Sequence, residues 1–140
     1  MACFKDAQEV YDTIGPLFER LSTEPDLTAR FLEANTVVRF ALRRPTAAIT
    51  ILLREGDAPR VDLGPSGLEP ELVLKMDADT AHRFWLGELN LTLALARGQI
   101  RADGPVAKVL RLVPLLGPVF ERYREQLGEL GRTDLVAVSV

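Results

Sequence analysis

In "FKDAQEVYDTIGPLFERLS", residues 4–22, the apolar side chains Phe4, Ala7, Tyr11, Ile14, Phe18 and Leu21 recur every three or four positions. That spacing places them on one stripe of an amphipathic helix. Gly15-Pro16 interrupts the stripe and predicts a kink or two helical pieces, because proline lacks the amide the ladder needs. A short second helix follows in "LTARFLEAN", with Asp26 or Thr28 placed to cap it and Asn35 to end it. From residue 36 the period changes to two. Val38, Phe40 and Leu42 alternate with Val37, Arg39, Ala41 and Arg43, and Ile49, Ile51 and Leu53 alternate with Thr50, Leu52 and Arg54. Turn residues at Arg44-Pro45 and Glu55-Gly56-Asp57 bound these segments, which read as strands joined by tight turns.

"RVDLG" reads as a third strand with Val61 and Leu63 inward. "PSGLEPE" is loop, and "LVLKM" is a fourth strand with Leu72, Leu74 and Met76 inward. One apolar and one wet face predict an antiparallel sheet covered on one side only. Asp77 or Asp79 then caps a helix over "ADTAHRFWLGE". "LNLTLALARG" reads as a second short helix ending at Gly98, although its alternating leucines would also suit a strand. "QIRAD" is a last strand with Ile100 and Ala102 inward. Gly104-Pro105 opens a helix at "VAKVLRLV", and "LLGPVFERYREQLGEL" continues after Pro114. The final "GRTDLVAVSV" reads as a loose tail or an edge strand.

Composition adds one constraint. Hydrophobic residues make up 47% of 140 residues, enough for one domain with a substantial core and something over. The single cysteine, Cys3, leaves no internal disulfide and no cysteine-rich zinc site. No stretch reaches the ~20 apolar residues of a membrane span, and the termini show neither a leader nor an organelle address, so a cytoplasmic protein is expected. Alternation puts Arg39 and Arg43 on the solvent face of a strand, and with Arg44 they read as a solvated edge, not a nucleic-acid surface.

A search for chemistry finds little. His82, the one histidine, has no serine in a nucleophile elbow nearby and reads as a solvated or capping residue. Asp77 and Asp79 fit a helix cap better than a cation site. Phe84 and Trp85 are adjacent: either Phe84 packs in the core with Trp85 at an edge, or one of them borders a ligand channel. The leucine-rich helical pieces 80–87, 89–97 and 106–116 are short and broken by glycine or proline. On a curved sheet such pieces can leave a dry apolar cavity; a fully packed core is the alternative.

The order of these segments resembles the sterol carrier protein type-2-like family of sterol-binding and lipid-transfer domains. "VVRFAL", "AAITILL" and "LVLKMDADTAHRFWLGELN" carry the resemblance, together with "LALARGQIRADGPVAKVLRL", where Gly98, Ile100, Ala102, Gly104, Ala107 and Leu110 fall on the family's pattern of helix, glycine turn, short strand, glycine turn and helix. Pro105 departs from it, standing where an acidic or amide residue often follows the glycine. The match covers residues 36–116 of a single domain spanning 1–140, with helices in 1–35 and a helix and tail in 117–140.

The resemblance implies an α+β fold: a five-stranded, mostly antiparallel sheet covered on one face by about five helices, with an apolar tunnel between them. It also implies a non-catalytic carrier or accessory protein for a fatty acid, fatty acyl-CoA, sterol or phospholipid, with no metal or prosthetic group. Inward-facing Val38, Phe40, Leu42, Ile51, Leu74, Phe84, Leu93, Leu110, Leu116 and Phe120 are the expected tunnel lining. An anionic head group would sit near Arg83 or Arg111. No nucleic acid is expected as a partner, and transient membrane contact and a homodimer are compatible with this reading. Two alternatives stand beside it: an interaction or dimerisation module with a packed core, scaffolding a lipid-pathway enzyme, and an enzyme using His82 on a lipid thioester.

Overall fold

The two-residue alternation folds as an antiparallel pair, β1 (Thr36–Arg43) with β2 (Ala47–Leu53), in which Val38 faces Ile51 and Phe40 faces Ile49. The computed structural model describes residues 3–136. β3 (Arg60–Leu63) extends the sheet beyond β2. On the other side β4 (Leu72–Asp77) runs parallel to β1, and β5 (Arg101–Asp103) closes the edge antiparallel to β4. The order is β3-β2-β1-β4-β5, a mixed sheet with one parallel pairing at its centre. The inward residues Val38, Phe40, Leu42, Ile49, Leu72, Leu74, Met76 and Ile100 are all buried. Each buried aliphatic side chain contributes about 1.5–3 kcal/mol to burial.

The parallel pairing has a consequence for the outer face. The chain must pass from β3 to β4 across β2 and β1, and residues 64–71 make that crossing. Arg39 holds the crossing down: its Nε donates to Thr50 Oγ1 at 3.0 Å and its Nη2 to the Leu68 carbonyl at 2.9 Å. Val37 and Thr50 are buried beneath it. The expected wet face is therefore covered at its centre, and Arg39 is half-buried, while Arg43, Arg44 and Arg54 are exposed.

Seven helices accompany the sheet among the described residues: α1 (Ala7–Ser22), α2 (Pro25–Leu32), α3 (Ala78–Trp85), α4 (Leu91–Ala96), α5 (Ala107–Leu110), α6 (Leu116–Glu129) and α7 (Thr133–Val136). Asp6 caps α1 by accepting from the Glu9 amide at 2.9 Å. The helix runs unbroken through Gly15-Pro16, against expectation. Its buried flank of Val10, Ile14 and Leu17 outweighs the local cost of Pro16. Gly15 serves packing: a Cβ there would stand 2.7 Å from Leu63 Cδ1.

α2 starts at Pro25, with Glu24 at the cap position and no side-chain cap bond. Neither Asp26 nor Thr28 caps it; the Thr28 hydroxyl donates back to the Leu21 carbonyl. Asp77 occupies the cap position of α3 without a side-chain cap bond and pairs with Arg43 at 2.5 Å, while Asp79 accepts from the Cys3 amide at 2.8 Å. Asn90 caps α4 through the Leu93 amide, settling "LTLALA" as helix. The helical piece expected over 106–116, with a break at Pro114, is α5, a 3-10 turn (Val113–Leu115) holding Pro114, and the start of α6. Residues 133–136 of the tail are helical, and residues 137–140 lie outside the described ones.

α1 and α6 pack together over the sheet. The Gln126 amide reaches the Thr13 carbonyl at 2.6 Å. Arg122 grips Glu24 through two bonds of 3.0 and 3.1 Å, which fixes the start of α2 against α6. This ion pair is partly exposed and sets position more than stability.

Candidate functional site

Between the sheet and the helices lies a cavity of about 110 Å³. Its floor is Val38 and Phe40 of β1, Ile51 and Leu53 of β2 and Val61 of β3. Its walls are Phe18 and Leu21 of α1, Phe84 and Trp85 of α3, and Leu116 and Val119 of α6. Its cover is Thr28 and Phe31 of α2, Pro59, Val109 of α5, and Leu112 just before the 3-10 turn. The cavity therefore sits over the β1-β2-β3 half of the sheet. Phe4, Val10, Ile14, Met76, Leu86 and Ile100 belong to the packed core and do not line the cavity.

Trp85 organises the aromatic wall. Its ring centroid lies 5.6 Å from Phe18 at a near-perpendicular angle, 5.5 Å from Phe40 and 4.8 Å from Phe84. Edge-to-face contacts of this kind hold rings in fixed orientations. Two hydroxyls complete the lining, and both are engaged with the backbone: Ser22 Oγ donates to the Glu19 carbonyl and Thr28 Oγ1 to the Leu21 carbonyl. The cover is thinly packed. Neither α2, α5 nor the 3-10 turn contains a fully buried residue.

α3 is held in place from its far side by His82. This residue is fully buried and not solvated or capping, which corrects the reading from sequence. Its Nε2 lies 2.8 Å from the Leu135 carbonyl and its Nδ1 2.8 Å from the Tyr123 hydroxyl. A carbonyl only accepts, so Nε2 carries the proton and Nδ1 accepts from the phenol. Burial pulls the imidazole below its ordinary pKa and pushes the Tyr123 phenol above its own. Both ring nitrogens are engaged and the residue does not line the cavity, so the imidazole has no free nitrogen to offer a ligand. The Cys3 thiol is pushed up to about 11, first by burial and then by Asp79, which keeps it a protonated, weak nucleophile. Among the described residues no cluster of His, Cys, Asp or Glu could hold a metal ion.

Of the ten residues expected to line a tunnel, Val38, Phe40, Ile51, Phe84 and Leu116 line this cavity. Leu42 and Leu74 face inward but belong to the packed part of the core. Leu110 and Phe120 are half-buried and pack against the core outside the lining. Leu93 is 50% exposed and points away from it, a correction. The segment is the short helix read from sequence, but its buried face is Leu91 and Ala94, and Leu93 stands about 200° round from Leu91. Arg83 and Arg111 do not line the cavity. Trp85 lines it as well, beside Phe84. Phe18 and Leu21 belong to the stripe read in residues 4–22, but nothing in that stripe says which end meets a gap. Phe31, Val109 and Leu112 carry no sequence signal beyond being apolar.

A wider groove of about 420 Å³ is lined by Lys5, Asp6, Gln8, Glu9, Asp12, Thr13, Leu130 and Arg132. It is charged and open, without convergent groups for chemistry. The smaller, carbon-lined cavity is the better ligand site. No described helix is long and apolar enough to cross a membrane.

The fold is shared with solved structures. The sterol carrier protein domain 2 of Helicoverpa armigera superposes with a TM-score of 0.65 at 17% identity, over 86% of this chain and 94% of that one. A conserved hypothetical protein of Thermus thermophilus, described as possibly a sterol carrier protein, gives 0.56 at 19% identity, over 76% and 80%. Sterol carrier protein 2 of Yarrowia lipolytica gives 0.53 at 15% identity, over 74% and 79%. No curated protein matches by sequence. Residues 17–117 match the family described as "SCP-2 sterol transfer family", a stretch that holds every cavity-lining residue except Val119; the chain belongs to that family.

Proposed function

We propose that this chain is a non-catalytic, cytoplasmic carrier or accessory protein that holds the hydrocarbon part of a lipid-like ligand in the cavity over β1, β2 and β3. Fatty acids, fatty acyl-CoA, sterols and phospholipids are the classes from which the ligand is drawn. The observation that carries the reading is a cavity walled by carbon between sheet and helices. Each methylene moved there from water gains about 0.8 kcal/mol.

The cavity is smaller than the ~150 Å³ void that admits benzene in an engineered core, and well below the ~300–1,000 Å³ of a drug-sized ligand pocket. A whole lipid therefore requires the cover to lift. α2, α5 and the 3-10 turn are the parts free to do so, since none of the three contains a buried residue and Leu112 alone anchors the stretch between the last two. Local openings of thinly packed elements cost less than global unfolding. A widened cavity would be the tunnel expected from sequence.

Native mass spectrometry of gently purified protein, with uptake of a fluorescent fatty acid, tests this reading. Co-purified lipid or saturable uptake supports it. Protein that carries no lipid and takes up no probe overturns it, and light scattering then shows whether a dimer accounts for the apolar surplus instead.

A further inference from the structure

Resting on that lipid-binding reading, we infer that the cavity selects an uncharged lipid over an ionised fatty acid of the same chain length. The lining contains no lysine, arginine or histidine. Its two hydroxyls have committed their single protons, Ser22 at 2.6 Å to the Glu19 carbonyl and Thr28 at 2.8 Å to the Leu21 carbonyl. They present lone pairs, which repel a carboxylate but accept from a ligand hydroxyl. The one other polar side-chain group on the lining is the indole N–H of Trp85, a neutral donor. It suits a hydroxyl or ester oxygen and does not balance a full negative charge.

Arg30, Arg54, Arg83 and Arg111 stand beside lining residues in the chain but none of them lines the cavity, and other nearby cations are already matched. Arg122, on α6, is held by both oxygens of Glu24, and Arg60, beside Val61, by both oxygens of Asp62. His82, on α3, has both nitrogens engaged. A carboxylate drawn against this wall loses water and gains no partner, which is the costly case for any buried charge. A hydroxyl or ester loses much less.

The test is displacement of an uncharged fluorescent hydrocarbon, diphenylhexatriene, by 1-tetradecanol, methyl myristate and myristic acid. At about pH 8 the alcohol and ester are expected to compete at concentrations at least roughly tenfold below the ionised acid, the gap narrowing as the acid protonates at about pH 5. A carboxylate that competes equally or better at the higher pH overturns the selectivity and leaves the lipid reading standing. Failure of diphenylhexatriene and all three competitors to bind overturns both.

Discussion

The phenol of Tyr123 donates to Nδ1 of His82 across 2.8 Å, at a point where both side chains are sealed from solvent. The bond joins α6 to α3, and the second imidazole nitrogen joins α3 to α7 through Leu135. Protonating His82 would put a donor on each nitrogen and leave the phenol's proton without its acceptor.

This makes stability depend on pH in a definite direction. Burial lowers the His82 pKa below its ordinary 6.5, so the unfolded chain binds more protons in the window beneath that value. The contribution is complete above about 6.5 and is lost as pH falls towards the folded pKa. The urea midpoint of the native protein is expected to drop between about pH 7.5 and 5.5. A His82→Gln variant, weaker by roughly 1–3 kcal/mol at neutral pH, is expected to show a shallower dependence. Glu24, Asp62, Glu71 and Asp134, all drawn below their ordinary 4.5 or 3.8 chiefly by bonds to Lys or Arg, act only in more acidic solution. An equal slope in variant and native protein would contradict this account.

Val109 is half-buried on α5 and lines the cavity. Val109→Phe fills space there without removing a fully buried contact. Thermal stability is expected to hold within about 1.5 kcal/mol, while binding of an apolar fluorescent probe weakens at least roughly tenfold, about 1.4 kcal/mol. Unchanged binding would place the ligand elsewhere.

Leu42 and Leu93 were expected to share one role and differ sharply in burial, 4% against 50% exposed. Leu42→Ala is expected to cost about 2–5 kcal/mol of stability. Leu93→Glu is expected to stay within about 0.5 kcal/mol and to leave probe binding intact. Urea titrations of the two variants check both statements.

Gly104 and Gly98 both have positive φ, at 119° and 75°. A Cβ at Gly104 would lie 2.3 Å from the Glu71 carbonyl oxygen, whereas at Gly98 it meets open space. Gly98→Ala is expected to cost only the left-handed backbone strain of about 1–2 kcal/mol. Gly104→Ala adds a backbone collision between β5 and the start of β4 and is expected to cost clearly more. Comparable melting temperatures for the two variants would refute the role given to the close approach.

Much of the architecture was legible in local patterns. The alternation from Val38 to Leu53 specified two strands and their inward faces, because side chains on a strand change sides at every residue. The glycine turns around "QIRAD" and the likeness to a lipid-transfer family followed from the chain alone. Tertiary structure decided where the core is left incomplete. Val38 and Leu42 lie on the same face of the same strand, yet one borders the cavity and the other is packed, depending on which helix end stands opposite. Pro16 stays helical because α1 buries its flank, Arg39 is covered because the parallel β1-β4 pairing forces a crossing over it, and His82 is interior because α6 and α7 close on it. Periodicity reports which way a side chain points. What it meets there is set by residues far away along the chain, and no local pattern contains that distance.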